Sequence, residues 1–206
     1  IAYWVAALRE TFEEAGILLA RLPGDTSLVD LSLPDTEQRF NTYRAGVNAG
    51  TADFVDVVRQ EGLVLDGSGV HYISRWVTPL GPPRRYDTRF FVTEMPKGQQ
   101  PLHDDDEAVH HEWIRPSEAL ALNEADEMLM MTPTVSMLDR LTRYETAAEA
   151  IAAATGNTRQ QDEMVRIRYG IEGPGRIAWP DDSDYDVSDP RLESGMVRWP
   201  GRRPSQ

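Results

Sequence analysis

The sequence contains no cysteine, which excludes a disulfide framework, a thiol nucleophile and a zinc site built from thiolates. It also lacks an apolar run of the roughly 18–20 residues that a membrane-spanning helix needs. Cations are few, because 21 lysines and arginines stand against 34 aspartates and glutamates, for a net charge of −13. Such a surface suits neither nucleic-acid backbones nor anionic membranes, so we expect neither as a partner.

What remains is the composition of a globular protein. A chain of 206 residues with 40% hydrophobic content suits one domain of about 150 residues with extensions. With so few cations, an anionic substrate would need a local cluster of basic residues or bound metal ions. The last three residues, Pro204-Ser205-Gln206, are not a peroxisomal signal, and we expect a cytoplasmic location.

The first residues predict an amphipathic helix from Ala2 to Ala15, ended by Gly16 in the left-handed conformation. At about 100° per residue this helix has two distinct faces. The apolar face carries Val5, Leu8, Phe12 and Ala15, and the opposite face carries Arg9, Glu10, Glu13 and Glu14.

The acidic face is poorly placed for helix stability. Glu10 and Glu14 are like charges at i,i+4, and Glu13 and Glu14 lie in the last turn, where the helix dipole disfavours anions. Each penalty is about 0.2–1 kcal/mol. A bound divalent cation would reverse the sign of these terms, because hard cations such as Mg²⁺ take carboxylate oxygens. A solvated surface stripe is the alternative at this point.

The string from Arg9 to Ile17, R-E-T-F-E-E-A-G-I, resembles the Nudix box of the Nudix hydrolases, G-x5-E-x7-R-E-U-x-E-E-x-G-U, where U is bulky and apolar. Thr11 departs from a U position, and Ile1 stands where the box has its first glutamate. The glycine-bearing strand of the box would precede Ile1. The resemblance implies Mg²⁺ or Mn²⁺ bound by Glu10, Glu13 and Glu14, with Arg9 positioning Glu13 and Glu10 as one candidate for the catalytic base.

Two later segments are similar to the same family. Glu112 to Leu120, E-W-I-R-P-S-E-A-L, resembles the element that closes the Nudix sheet. Trp76 to Pro79, followed by Pro83 to Phe91, resembles the W-x-T-P…P-x-R-[YF]-D-T-x-F-F segment of the branch containing the peroxisomal coenzyme A diphosphatases. That branch separates its glycine strand from the glutamate helix and lacks the upstream glutamate, which agrees with Ile1.

The fold we predict is α/β, a Nudix-type α/β/α sandwich with a mixed sheet. The hydrolase domain would cover residues 1–156, with a two-helix insertion at about 35–62 that shows no evident chemistry. Its β-rich part would have strands at 70–77, 86–93 and 111–114. Residues 157–206 would form an irregular or partly disordered extension. The methionine-rich stretch 128–131 would belong to the core.

Further site residues lie in two places. The acidic stretch 104–107 matches a loop that supplies a further carboxylate in Nudix hydrolases, and Glu107 is the best placed as base or ligand, with Glu112 second. Arg84, Arg85 and Arg89 could bind substrate phosphates, since guanidinium groups suit phosphate oxygens. Equally, these arginines could face solvent or form salt bridges with Asp87 and the acidic stretch 104–107. His103, His110 and His111 raise the question of zinc, which the absence of a motif such as H-E-x-x-H disfavours.

The resemblance implies a metal-dependent hydrolase of a nucleoside diphosphate linked to another moiety, with coenzyme A or acyl-CoA as the expected small-molecule substrate. Two alternatives stay open: hydrolysis of ADP-ribose, a dinucleotide or a nucleoside triphosphate, and a Nudix-fold binding module without turnover. A homodimer through Leu138 and Leu141 is a further prediction.

Overall fold

The computed structural model describes residues 1–78, 83–103, 110–156, 163–168 and 176–196. The chain divides into two compact units, one formed by Ile1–Val70 with Thr93–Trp113 and the other by His71–Val92 with Ile114–Gln206. Helices and small sheets alternate along the chain, which confirms an α/β fold. Within the described ranges, no helix has the length and apolar character to cross a membrane.

The first unit contains three helices and two short strands among its described residues. These are α1 (Ala2–Ala15), β1 (Ala20–Arg21), α2 (Pro34–Asn48), α3 (Phe54–Gln60) and β2 (Val64–Leu65). Strands β1 and β2 pair antiparallel, with Ala20 opposite Leu65. The core of this unit consists of apolar side chains from all three helices and the segment after α1: Phe12, Leu18, Ala20, Phe40, Phe54 and Val57.

Helix α1 has the predicted bounds. It buries Leu8 and Phe12, whose exposed fractions are 4% and 1%, whereas Val5 on the same predicted face is 38% exposed. Gly16 ends the helix with φ of +68°, as its sequence position predicted. The apolar side of α1 is thus fixed to the core of the first unit, and its last turn has a defined end.

The predicted two-helix insertion is confirmed as α2 and α3. Its second helix has Asp53 as its N-cap. The Asp53 carboxylate accepts a hydrogen bond from the Val55 N–H at 2.7 Å, which satisfies a donor that the first turn leaves unpaired.

The second unit begins with a β-hairpin of β3 (His71–Val77) and β4 (Asp87–Val92), both predicted from sequence. Helices α4 (Pro116–Glu124), α5 (Thr132–Leu141) and α6 (Ala147–Thr155) follow, then β5 (Glu163–Arg168), β6 (Arg176–Ala178) and β7 (Asp189–Met196). The last three strands form an antiparallel sheet in the order β6-β5-β7. Buried residues of this unit form a second core: Ile73, Trp76, Met137, Ala154, Val165 and Trp179.

The predicted strand at 111–114 is wrong. Residues 110–115 pair with no strand in the part of the chain that the structure describes, and Trp113 is 72% exposed. The residue types favour a strand, but a strand also needs a partner for its backbone groups. The following helix begins at Pro116, with Arg115 as N-cap, since proline suits the first helical position.

Three other expectations change in the second unit. The predicted core position of 128–131 is wrong for Leu129 and Met131, which are 88% and 77% exposed in the turn before α5. The extension from residue 157 contains β5, β6 and β7, so its described part is not irregular. All strand pairs in the described ranges are antiparallel and form three small sheets, in place of one mixed sheet. The domain boundary at 156 stays a prediction.

Candidate functional site

The carboxylate face of α1 is the candidate site. Because Leu8 and Phe12 are buried, the latter in the core of the first unit, the opposite side of the helix carries Glu10, Glu13 and Glu14 toward solvent. The Glu14 residue is exposed, the Glu10 side chain is 47% exposed, and the Glu13 side chain is 17% exposed. The helical period therefore places three carboxylates within one and a half turns of one accessible face.

Arg9 organises two of these carboxylates. Its Nη1 group donates to both oxygens of Glu13, at 3.1 and 3.0 Å, in the i,i+4 contact that the sequence predicted. Its Nη2 group donates to Oε1 of Glu10. The guanidinium thus offsets the repulsion between Glu10 and Glu13 and fixes the orientation of both side chains.

The residue chemistry of this face fits a hard divalent cation, since Glu10, Glu13 and Glu14 offer only oxygen donors and solvent reaches the face. No three histidine, aspartate or glutamate side chains form a ready-made metal cluster within the described ranges. Arg9 holds two of the carboxylates, so binding a cation would require side-chain reorientation on this face. The three carboxylates are thus the type of ligand that a hard divalent cation prefers, and solvent reaches them.

The C-terminal end of α1 is closed by side chains from α2. Arg44, only 6% exposed, donates from Nε to the Glu13 carbonyl at 2.8 Å and from Nη2 to the Glu14 carbonyl at 2.7 Å. Asn48 Nδ2 also donates to the Glu13 carbonyl, at 3.2 Å. The Leu102 N–H donates to the Ala15 carbonyl at 2.9 Å. The last-turn carbonyls, which a helix leaves unpaired, are therefore satisfied.

Gly16 is required at this helix end for two reasons. Its φ of +68° is costly for other residues, and a Cβ on it would lie 3.3 Å from Nη1 of Arg44. We expect Gly16→Ala to lower the free energy of unfolding by about 1–2 kcal/mol through the backbone conformation alone. The crowding of Arg44 adds to that cost. Urea denaturation measures the total.

Gly50→Ala is the matched control, because Gly50 has φ of +67° and a Cβ there would meet nothing within 4 Å. Its cost measures the backbone conformation without any contact. A Gly16→Ala cost equal to the Gly50→Ala cost would show that the approach of Arg44 to Gly16 contributes nothing to stability.

Glu107 and the rest of the acidic stretch lie outside the described residues, but the residues on either side are described. Arg44 Nη1 donates a long hydrogen bond of 3.5 Å to the His103 carbonyl. Nδ1 of His103 and Nδ1 of His111 lie 2.7 Å apart. The described residues His103 and His111 are therefore in contact with each other, and the His103 carbonyl accepts a hydrogen bond from the same arginine that caps α1.

The histidines and Glu112 form a looser group. His110 Nε2 lies 3.9 Å from Glu112 Oε2, and both side chains are more than half exposed. The described residues contain no group that could hold zinc through three such ligands. Glu112 is placed on an exposed segment between Trp113 and the histidines, and its candidate role as base stays a prediction.

The three candidate phosphate-binding arginines belong to the second unit. Arg89 pairs with Asp87 at 3.3 Å, and Asp87 also receives two hydrogen bonds from Arg75, at 2.6 and 2.7 Å. The Arg75 bonds hold the pKa of Asp87 below its usual range. Arg85 Nε donates to the Thr78 carbonyl at 2.8 Å, and Arg84 is exposed. The pairing of Arg89 with Asp87 is the salt bridge given above as the alternative to phosphate binding. A phosphate-binding role for the three arginines stays a prediction.

A cavity of about 130 Å³ lies beside Gly16, between the start of α2 and residues 98–102. Its polar lining includes Ser32, Glu37 and Gln100. The volume is smaller than the roughly 300–1,000 Å³ typical of ligand pockets, so this cavity is too small for a nucleotide. The open face of α1 is the better candidate for a large substrate.

The family model and the curated relatives that this chain matches carry the same name. The family described as the NUDT19 Nudix domain matches residues 1–141. The chain is 31% identical to acyl-coenzyme A diphosphatase NUDT19 of Gallus gallus over 90% of its length and 54% of the relative's. The Homo sapiens protein of the same name is 28% identical, over 90% of this chain and 52% of that protein. The chain spans about half the length of the curated relatives it matches.

A solved structure is also similar. The crystal structure of a NUDIX hydrolase from Alicyclobacillus acidocaldarius has a TM-score of 0.58 and 27% sequence identity to this chain. The match covers 72% of this chain and 64% of that one. The α/β architecture of the described residues therefore occurs in a known hydrolase.

Proposed function

The chain belongs to the NUDT19 Nudix domain family, and from this premise we propose that it is a divalent-metal-dependent hydrolase of the diphosphate in coenzyme A or acyl-CoA. The relatives named acyl-coenzyme A diphosphatase support this choice of substrate. The products would be a 3′,5′-bisphosphate nucleotide and a phosphopantetheine or its acyl derivative.

One structural observation supports the reaction type. Arg9, Glu10, Glu13 and Glu14 share an accessible face of α1, whose other face is fixed in a core. An array of carboxylates is unsuited to binding a diphosphate directly, because like charges repel. It becomes suited when cations lie between the carboxylates and the phosphates. The family in general uses divalent metals, and Mg²⁺ or Mn²⁺ is the ion we propose.

We assign the roles of the face as follows. Glu10, Glu13 and Glu14 would hold the ion, which would supply charge screening and polarisation of a phosphoryl oxygen. Arg9 would limit the orientations open to Glu13 and Glu10, and part of its guanidinium contacts would be exchanged for the ion when it binds. Either Glu10 or Glu107 would orient the attacking water and accept its proton.

The case for Glu107 rests on the residues around it. His103 and His111 are in contact, and the His103 carbonyl lies beside Arg44 at the end of α1. Three residues separate Glu107 from His103, and extended backbone covers about 3.3–3.6 Å per residue. This short separation in sequence supports Glu107 as the base. Glu112 is the second choice for the same role.

Substrate phosphates beyond the diphosphate need cations from the chain itself. We propose Arg84, Arg85 and Arg89 for this role; Arg84 and Arg85 are exposed, and Arg89 is half-buried. Arg89 already pairs with Asp87, so its use would require exchange of one anionic partner for another.

A substrate panel tests the proposed function. Coenzyme A, an acyl-CoA, ADP-ribose, NADH and nucleoside triphosphates are incubated with the protein, with and without Mg²⁺, and the products are identified by mass spectrometry. We expect 3′,5′-ADP and phosphopantetheine from coenzyme A, only with metal present, at a higher kcat/KM than for the other substrates.

The other outcomes decide between the alternatives. Preferred cleavage of ADP-ribose or a nucleotide would keep the reaction and reject the substrate. Thermal stabilisation by coenzyme A without product would indicate a binding module. If product formation continued unchanged after a chelator removed Mg²⁺, the metal-dependent reaction would be rejected.

Three further properties stay proposals. A hydrolase domain at 1–156 with an extension at 157–206 is one, and a cytoplasmic location is another. The third is a homodimer, for which the structure removes one argument: Leu141 packs against the core of the second unit, together with Met137 and Trp179.

A further inference from the structure

Helix α2 lies in the insertion, for which the sequence suggested packing and no chemistry. Its Arg44 is 6% exposed and directs its guanidinium at the carbonyls of Glu13 and Glu14, the two glutamates in the last turn of α1. Both hydrogen bonds, at 2.8 and 2.7 Å, are short and charge-assisted. A buried charge is expensive unless such bonds compensate it, so this arrangement is well defined.

The hydrogen bonds from Arg44 offset the negative charge that gathers in the last turn of α1. Carbonyls at the end of a helix carry partial negative charge, and Glu13 and Glu14 add carboxylates to the same turn. Without a cation there, the turn would tend to fray, and the spacing of its carboxylates would be lost. Arg44 supplies that cation on the backbone side, which leaves the carboxylate side to solvent.

Gly16 is part of the same arrangement. Its missing Cβ leaves room for the guanidinium, whose Nη1 would lie 3.3 Å from a Cβ there. The same Nη1 donates to the His103 carbonyl at 3.5 Å, at the start of the segment that carries Glu107. One side chain thus touches the end of α1 and the start of the acidic segment.

We propose that Arg44 is a positioning residue for the metal site: it fixes the last turn of α1, and so the spacing of Glu10, Glu13 and Glu14, through the carbonyls of Glu13 and Glu14. This proposal rests on the proposed function of that face. In this role Arg44 would bond the backbone that carries the ligands and would contact neither the substrate nor the ion. Its effect is transmitted through the backbone that carries the ligands.

Mn²⁺ binding to the protein without substrate, measured by electron paramagnetic resonance, tests the proposal. The variants are Arg44→Met, Arg44→Lys and, as a control, Asn48→Ala. Residues that orient metal ligands typically change metal affinity by about 10–100-fold when replaced. We expect Kd for Mn²⁺ to rise about tenfold or more in Arg44→Met.

Arg44→Lys separates geometry from charge. Lysine keeps the positive charge but cannot donate two fixed bonds in a fork, so we expect its Kd to rise several-fold as well. Asn48→Ala removes a neutral donor to the same Glu13 carbonyl and should change Kd less than about twofold. A role in stability alone would lower the melting temperature of the variants without changing Kd of the folded protein.

A decrease in Kd for Mn²⁺ in Arg44→Met would contradict the proposal. If the main effect of Arg44 were its positive charge near the ion, Arg44→Met would bind Mn²⁺ more tightly than the wild type, and the proposal would be overturned. Unchanged Kd in both variants, or loss of the folded state in both, would also overturn it. Absence of Mn²⁺ binding by the wild-type protein would instead reject the proposed function.

Discussion

Replacing Glu13 and Glu14 together by glutamine is expected to lower the metal-dependent hydrolysis of coenzyme A by at least about 10³-fold. Glutamine keeps the size of the side chain but removes both anionic charges from the exposed end of α1. Bound metal typically supplies several kcal/mol of transition-state stabilisation, and each 1.36 kcal/mol is a factor of ten in rate. Steady-state kinetics across a range of Mg²⁺ concentrations measures the loss.

Glu124→Gln is the control for this experiment, since Glu124 is an exposed glutamate at the end of α4 in the other unit. It should leave kcat and KM unchanged. Folding is checked by the melting temperature, which should change little, because relief of repulsion in the last turn of α1 offsets the loss of the Arg9–Glu13 ion pair. Wild-type turnover in the double variant would reject the metal ligands that we propose.

Replacing Phe12 by alanine is expected to cost about 3–5 kcal/mol of unfolding free energy, the largest stability effect among the changes considered. Phe12 is 1% exposed, belongs to the core of the first unit, and lies 5.5 Å from Phe54 between ring centroids. Removal of the ring leaves a cavity under the turn that carries Glu10 and Glu13. Equilibrium urea denaturation measures the cost.

Val5→Ala is the comparison on the same helix, because Val5 is 38% exposed and its truncation leaves little cavity. It should cost less than about 1 kcal/mol. Similar losses in the two variants would mean that α1 is not anchored through Phe12. We also expect Phe12→Ala to lower turnover at temperatures where the protein stays folded, because the helix loses its support.

The sequence was sufficient to predict α1 because all the information is local. The period of its apolar residues and the glycine after Ala15 specify both the bounds and the buried face of the helix. The Arg9 contact with Glu13 follows from the i,i+4 spacing in the same way. The hairpin of β3 and β4 is bounded by glycine and proline, which made it predictable too.

Features that depend on distant residues were not predicted. Arg44 is 30 residues from Glu14, and nothing in the period of α2 distinguishes an arginine that caps another helix from one in solvent. The only signal is indirect: the acidic last turn of α1 needed a cation, and the sequence did not say which. For the same reason residues 111–114, whose side chains favour a strand, did not reveal that they pair with no strand in the described part of the chain.

The exposure of individual apolar side chains was also not predictable from the sequence. Leu129 and Met131 are apolar and near helices, so their composition favours the core, yet both are exposed in the turn before α5. Composition also hid the sheet of β5, β6 and β7, because the aspartates and glycines between those strands are typical of irregular segments.

The most direct test of a metal site on α1 is to locate the bound cation. Substoichiometric Mn²⁺ added to ¹⁵N-labelled protein broadens the amide signals of nearby residues. If Glu10, Glu13 and Glu14 bind the ion, broadening is strongest from Arg9 to Gly16 and is lost in the Glu13→Gln, Glu14→Gln double variant. Broadening centred elsewhere, for example on His110 and Glu112, or unchanged broadening in the double variant, would contradict it.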